Sequence, residues 1–243
     1  MTFRERLQAW RYNLIPDHVI GEILSKRWAD NAIPFLALVA VIAVFGTAIP
    51  GFFSPFSLLE STRQLGEFTI VVIGLTVVML AGGIDLSVGM ILVLANCLAS
   101  WIVVGTALET SLGIIAVLVS GALCGAVNGL IVIFGRLQPI VTTIATGAMF
   151  YGLALFLRPF PGGAVNEALA DFMTSKAFGF FPMSFVALAA VVLVVWVPYS
   201  RSVIGRASYA AGSSEHAAYM SGMPVKMAKF TAYVLSEIGR AHV

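Results

Sequence analysis

Ala81-Gly82-Gly83-Ile84-Asp85-Leu86-Ser87-Val88-Gly89 places a helix stop, a carboxylate and a helix start inside residues 68–108, which hold no other charged side chain. Glycine takes the left-handed conformation cheaply, so Gly82-Gly83 is expected to end the preceding helix. Asp85 then falls where an N-cap belongs, with its carboxylate able to accept the free amides of Ser87 and Val88. A carboxylate between two membrane-length apolar segments is expensive unless it is satisfied, which marks it as functional or architectural. Two readings are compatible here. One is a tight helix–helix turn capped by Asp85. The other is a broken-helix element whose capped ends face a cavity.

Composition sets the class. Of 243 residues, 59% are hydrophobic and 11% charged, with mean hydropathy +0.96, whereas soluble domains run at about a quarter charged. The expectation is an all-α polytopic integral membrane protein. A net charge of +2 is too small to suggest nucleic acid. Cys97 and Cys124 both lie in apolar runs, so they read as small buried residues and not as a disulfide or metal pair. No catalytic dyad, P-loop or metal-ligand set is visible.

Working outward, residues 1–31 form a basic N-terminal segment with Arg4, Arg6, Arg11, Lys26 and Arg27 beside Trp10, Tyr12 and Trp28. This suits a cytoplasmic, interface-lying lead. Residues 32–237 read as the transmembrane domain. Six complete spans are expected, at Ile33–Ile49, Gly66–Leu80, Leu86–Leu108, Ser111–Phe134, Ile140–Leu157 and Pro182–Val197, plus the start of a seventh near Met223. Even parity returns the chain to the side of its N-terminus. Ten Lys and Arg then lie inside, against Arg63, Arg158 and Lys176 outside, an asymmetry that orients the N-terminus to the cytoplasm. Residues 238–243 match the translation of a common sequencing-adapter string. They read as a non-native tail, with the natural protein continuing beyond Glu237.

Three further features carry chemistry. Gly121, Gly125 and Gly129 share one helix face and predict close helix packing. Asn96 and Asn128 are intramembrane amides, either bonded across helices or lining a translocation path. Residues 213–222 predict a short helix capped by Ser213 or Ser214. Glu215 sits in its first turn and Gly222 at its C-terminal stop. It is too short to cross a membrane, so it is either an interfacial connector or a docking helix with Ala217 and Ala218 on its contact face.

The stretch Gly82 to Gly89 resembles the signature of permeases in the ribose/xylose/galactose class of bacterial ABC sugar importers. Residues 205–222, from Gly205 through Gly212, Glu215, Ala217 and Ala218 to Gly222, are similar to that family's cytoplasmic coupling loop. Residues 135–140 match its short intracellular turn. The chain departs from the pattern in Ser214, where asparagine is usual, and in His216; a chain cut here would also lack the family's remaining helices. The resemblance implies a transporter subunit and not an enzyme, with ATP and Mg on a separate cytoplasmic ATPase. It also implies a second permease subunit and a periplasmic sugar-binding protein. Gly205, Gly212, Glu215, Ala217, Ala218 and Gly222 would then couple to the ATPase. Gly82, Gly83, Asp85, Ser87 and Gly89 would form a gate or structural motif. Rival readings are a branched-chain amino-acid ABC permease and an ion-coupled secondary transporter with Asp85 as the ion site.

Overall fold

The computed structural model describes residues 27–240 except 161, 178 and 180. The basic N-terminal segment lies almost wholly outside the described residues, as do the last three residues of the expected tail. The chain divides into two compact units, Met1–Leu58 and Leu59–Val243.

The first unit holds helix α1, Arg27–Ala48, and the opening turn of α2. Pro34 sits inside α1 near its start. Gly46 packs against the Phe53 ring, which a Cβ there would meet at 2.5 Å. Gly51 has φ +79° in the turn before α2.

The second unit is built on helices α2 (Pro55–Leu80), α3 (Val88–Ile102), α4 (Ala107–Ile133), α5 (Pro139–Leu157) and α6 (Glu167–Thr174). A two-residue antiparallel ladder, β1 (Lys176–Ala177) with β2 (Phe181–Pro182), precedes α7, Met183–Arg201. Helix α7 carries a π-helical turn at Val192–Trp196. Helices α8 (Val203–Ser213), α9 (Glu215–Met220) and α10 (Val225–Arg240) follow.

The all-α class holds, and the span count is corrected. Among the described residues four helices are long and apolar enough to cross a membrane: α2, α4, α5 and α7. The expected first span corresponds to an apolar stretch, Ala32–Ala48, of roughly 26 Å, short of a hydrocarbon core of about 30 Å. The expected third span, Leu86–Leu108, contains a break. Its helix runs only over Val88–Ile102, and Gly105 turns the chain at φ +86°. Thr106 then starts α4 with a reciprocal capping box to Glu109, which satisfies two otherwise orphaned helix-end donors. Glu109 and Thr110, which fall between the expected third and fourth spans, are therefore already helix. Hydropathy alone ran through the break because Val103 and Val104 are apolar. The expected seventh span is α10, which buries Ala228, Ala232 and polar Ser236 on one face and exposes Met227 on another. It is amphipathic. Four spans are an even number, as six are, so the correction leaves the parity behind the expected orientation unchanged.

Exposure supports a lipid setting for the long helices. Phe68, Leu123, Phe156 and Val194 are 62–83% exposed on α2, α4, α5 and α7, which in water would form an apolar surface far larger than monomers tolerate. The expected glycine face of α4 is used by α10. A Cβ at Gly125 would stand 2.4 Å from the Tyr233 carbonyl oxygen, and one at Gly129 would stand 3.0 Å from the Phe230 ring. Gly74 of α2 gives the same intimacy to the Ser236 carbonyl, at 2.7 Å. Helix α10 is thus held by backbone-close contacts to α4 and α2. Ile91, Leu94, Cys124, Phe150 and Ala154 form the core joining α3, α4 and α5. Both cysteines are free.

Candidate functional site

Residues 81–87 are the non-helical junction between α2 and α3. Ala81 and Gly82 close α2 through amide bonds to Val77, Val78 and Met79, and the Gly83 amide returns to the Val78 carbonyl. Gly82 has φ +75°, the left-handed C-terminal stop expected from the sequence. Asp85 is buried at 3% exposure. Its Oδ1 accepts the Ser87 amide at 2.9 Å and the Ser87 hydroxyl at 2.6 Å. The helix itself begins at Val88, with Ser87 in the cap position. Asp85 therefore fixes the approach to the helix as an Asx turn, two residues earlier than a direct cap.

The carboxylate opens a buried polar chain that the sequence reading did not assemble. Asn128 of α4, fully buried, donates through Nδ2 to the Ser87 hydroxyl at 2.9 Å. Its Oδ1 accepts the Thr146 hydroxyl of α5 at 2.5 Å. The Leu86 amide donates to Thr143 Oγ1 at 3.0 Å. Gly147 lets the Ser87 backbone settle on α5, since a Cβ there would lie 3.3 Å from Ser87 Cα. Asp85, Ser87, Asn128 and Thr146 thus weld the start of α3 to α4 and α5. Thr142, Thr143 and Thr146 gather three hydroxyls in the first half of a mostly apolar helix, and that polar cluster was the available signal. Of the two readings for Asn128, the cross-helix bond is the one observed. Gly89 is exposed, with open space where a side chain would be.

Asn96 is separate from this weld. It is exposed and borders a cavity of about 280 Å³ whose other polar lining includes Glu67 of α2 and Ser184 of α7. It also borders a wider depression of about 780 Å³ with Arg158, Glu167 and Asp171. The 158–166 loop is tied down by Asn166, whose amide bonds the Val103 carbonyl and whose Nδ2 bonds the Gly105 carbonyl at 2.7 Å.

The second motif falls on two helices. Ser202 caps α8 by accepting the Gly205 amide at 2.9 Å, and a Cβ at Gly205 would stand 2.0 Å from the Tyr199 carbonyl. Ser214 both ends α8 and caps α9, accepting the Ala217 amide at 3.3 Å. Glu215 lies in the first turn of α9 and pairs with Lys229 of α10 at 2.5 Å. Gly222 stops the segment at φ +75°. Ala217 and Ala218 part company. Ala218 is buried with Ala211 and Val225, while Ala217 is exposed beside His216, Tyr219 and Met220.

The two motifs meet. A Cβ at Gly212 would stand 2.2 Å from the Leu80 carbonyl oxygen and 3.4 Å from the Gly82 amide nitrogen. Tyr233 of α10 approaches from another side, its hydroxyl 2.8 Å from where a Gly83 Cβ would be. The junction after α2 is therefore touched by α8 and α10 and bonded to α4 and α5. Among the described residues no group of three His, Cys, Asp or Glu is placed to hold a metal ion.

A multi-pass helical membrane protein, with its buried polar weld at a broken helix and a short capped helix carried outside the bundle, has the form of a transport subunit. The family "Branched-chain amino acid transport system / permease component" matches residues 57–239, and the chain belongs to it. It is similar to the ribose import permease protein RbsC of Bacillus subtilis, 32% identical over 84% of this chain and 63% of that protein. The RbsC of Escherichia coli K12 is 31% identical, covering 87% of this chain and 67% of that protein. The autoinducer 2 import system permease protein LsrD of Photorhabdus laumondii is 30% identical over 84% and 63%. The chain thus spans about two thirds of the length of these relatives. No solved structure matches it.

Proposed function

We propose that this chain is the membrane-spanning subunit of an ATP-driven ABC importer that moves a monosaccharide across the bacterial inner membrane. A cytoplasmic ATPase subunit supplies the energy. A second permease subunit completes the path, and a periplasmic binding protein delivers the sugar. The observation that carries the reading is the form of α9. It is a six-residue helix, too short to be stable alone, yet held at its start by the Ser214 cap and beneath by Ala218, with His216, Ala217, Tyr219 and Met220 left facing outward. That is a docking surface on a firm base. Arg201, Arg206, Lys226 and Lys229 flank it, and basic residues concentrate on the cytoplasmic side of membrane proteins. Support for a sugar comes from the relatives named as ribose import permeases.

Asn96 is assigned to the translocation path, on its position at the cavity between α2, α3 and α7. Asn128 is assigned to the weld. Asp85 is assigned to holding the α2–α3 junction, since its Oδ1 takes two bonds from Ser87.

The test uses the assembled transporter. Ala217→Arg, on the exposed face, should leave membrane insertion and folded yield unchanged while abolishing co-purification of the ATPase. Normal uptake by that variant would refute the docking role. A second reading, a branched-chain amino-acid importer, is favoured by the family's printed description. Uptake of labelled D-ribose against labelled leucine separates the two.

A further inference from the structure

We propose that the Gly212 backbone is the relay between the α9 docking helix and the Asp85 junction. In this role Gly212 acts inside the chain and does not touch the ATPase; the inference rests on the coupling reading above. Three observations place it there. Ala218 of α9 packs on Ala211 and Val225 in one buried cluster, so a displacement of α9 bears on the end of α8. The next residue, Gly212, meets the junction backbone to backbone, against the Leu80 carbonyl and the Gly82 amide, with no room for a methyl group. Beyond it, the junction is bonded through Asp85 and Ser87 to Asn128 and Thr146 on two further helices.

A contact between two backbones transmits displacement without the slack of side-chain rotamers, and packed elements shift between discrete arrangements more readily than they deform. The flanking helices alone offer a less direct route. Helix α7 reaches α8 only after its π-helical turn, and α10 is amphipathic, carrying its contacts to α2 and α4 on one face. Spatial adjacency by itself does not establish coupling, so the experiment measures the coupling directly.

A single cysteine, Ile84→Cys, is placed on the exposed side of the junction in a background of Cys97→Ala and Cys124→Ala and carries an environment-sensitive fluorophore. The chain is purified with its ATPase subunit in nanodiscs, and Mg-ATP is the only ligand added. The fluorophore should respond to Mg-ATP. Gly212→Ala should reduce that response about five- to thirtyfold while the ATPase still co-purifies in wild-type amount. A parental response retained in Gly212→Ala overturns the relay, as does the absence of any response in the parent despite a bound ATPase. Failure of the ATPase to bind the parent overturns the coupling reading and the relay with it. If Gly212→Ala lowers folded yield, Ala211→Gly replaces it. That variant removes the methyl group linking α8 to Ala218 and cannot clash. It should also weaken the response, and a parental response from it overturns the relay equally.

Discussion

Asn128 occupies the centre of the weld, and its value is set by what its loss would strand. Asn128→Ala leaves the Ser87 hydroxyl oxygen without its amide donor in a dry interior, while the Thr146 hydroxyl keeps the Thr142 carbonyl as its acceptor at 2.9 Å. Unsatisfied buried groups cost about 1–3 kcal/mol each. Thermal unfolding in detergent should therefore show a clear loss of stability, and an unchanged midpoint would mean that the network is dispensable. Asp85 gives a graded version of the same test. Asp85→Asn keeps an oxygen that can accept the Ser87 amide and hydroxyl, whereas Asp85→Ala keeps none. Folded yield should fall in the order wild type, Asn, Ala, and equal yields for the two variants would show that the turn does not depend on that oxygen. The Glu215–Lys229 pair is the opposite case. The Glu215 side chain is 61% exposed, and exposed pairs contribute little, so Lys229→Ala should leave stability within about 1 kcal/mol of wild type.

At the scale of elements, the decisive contact is α10 in the glycine groove of α4. Gly125→Val would drive two methyl groups into the Tyr233 carbonyl region, where even a Cβ comes within 2.4 Å. Overpacking of this kind costs about 1–3 kcal/mol, sometimes more, and backbone-close helix pairs have no side chain to move aside. Gly125→Val should lower folded yield sharply, while Gly152→Val, on open space, should not; equal yields would remove the groove from the account. This groove was legible in the sequence because glycines four apart have one simple structural use. The Gly82 stop, the Ser214 cap and the short α9 were legible for the same reason, since local chemistry fixes them. The turn at 103–106 was not, because an apolar run across a helix break looks like a continuous span until Thr106 and Glu109 are seen to cap each other. Nor was the split between Ala217 and Ala218, which depends on where α8 and α10 lie. The weld bonds residues up to 57 positions apart in the chain; periodicity along one helix cannot pair them.

For the molecule as a whole, the Asp85 junction is where its second unit is knit together. Helix α2 ends there and α3 starts there; α4 and α5 bond to it, and α8 and α10 rest on it. Helix α9 stands one helix away from that point and, under the proposed function, gives the permease a place to receive work. The account requires α9 to lie in the cytosol with Ala217 facing a partner. The direct measurement is thiol labelling of Ala217→Cys, in the cysteine-free background, with a membrane-impermeant maleimide. Intact cells with a permeabilised outer membrane should leave the position unlabelled. Inverted inner-membrane vesicles should label it, and the bound ATPase should shield it. Labelling in the intact cells would place α9 on the opposite face and contradict the account.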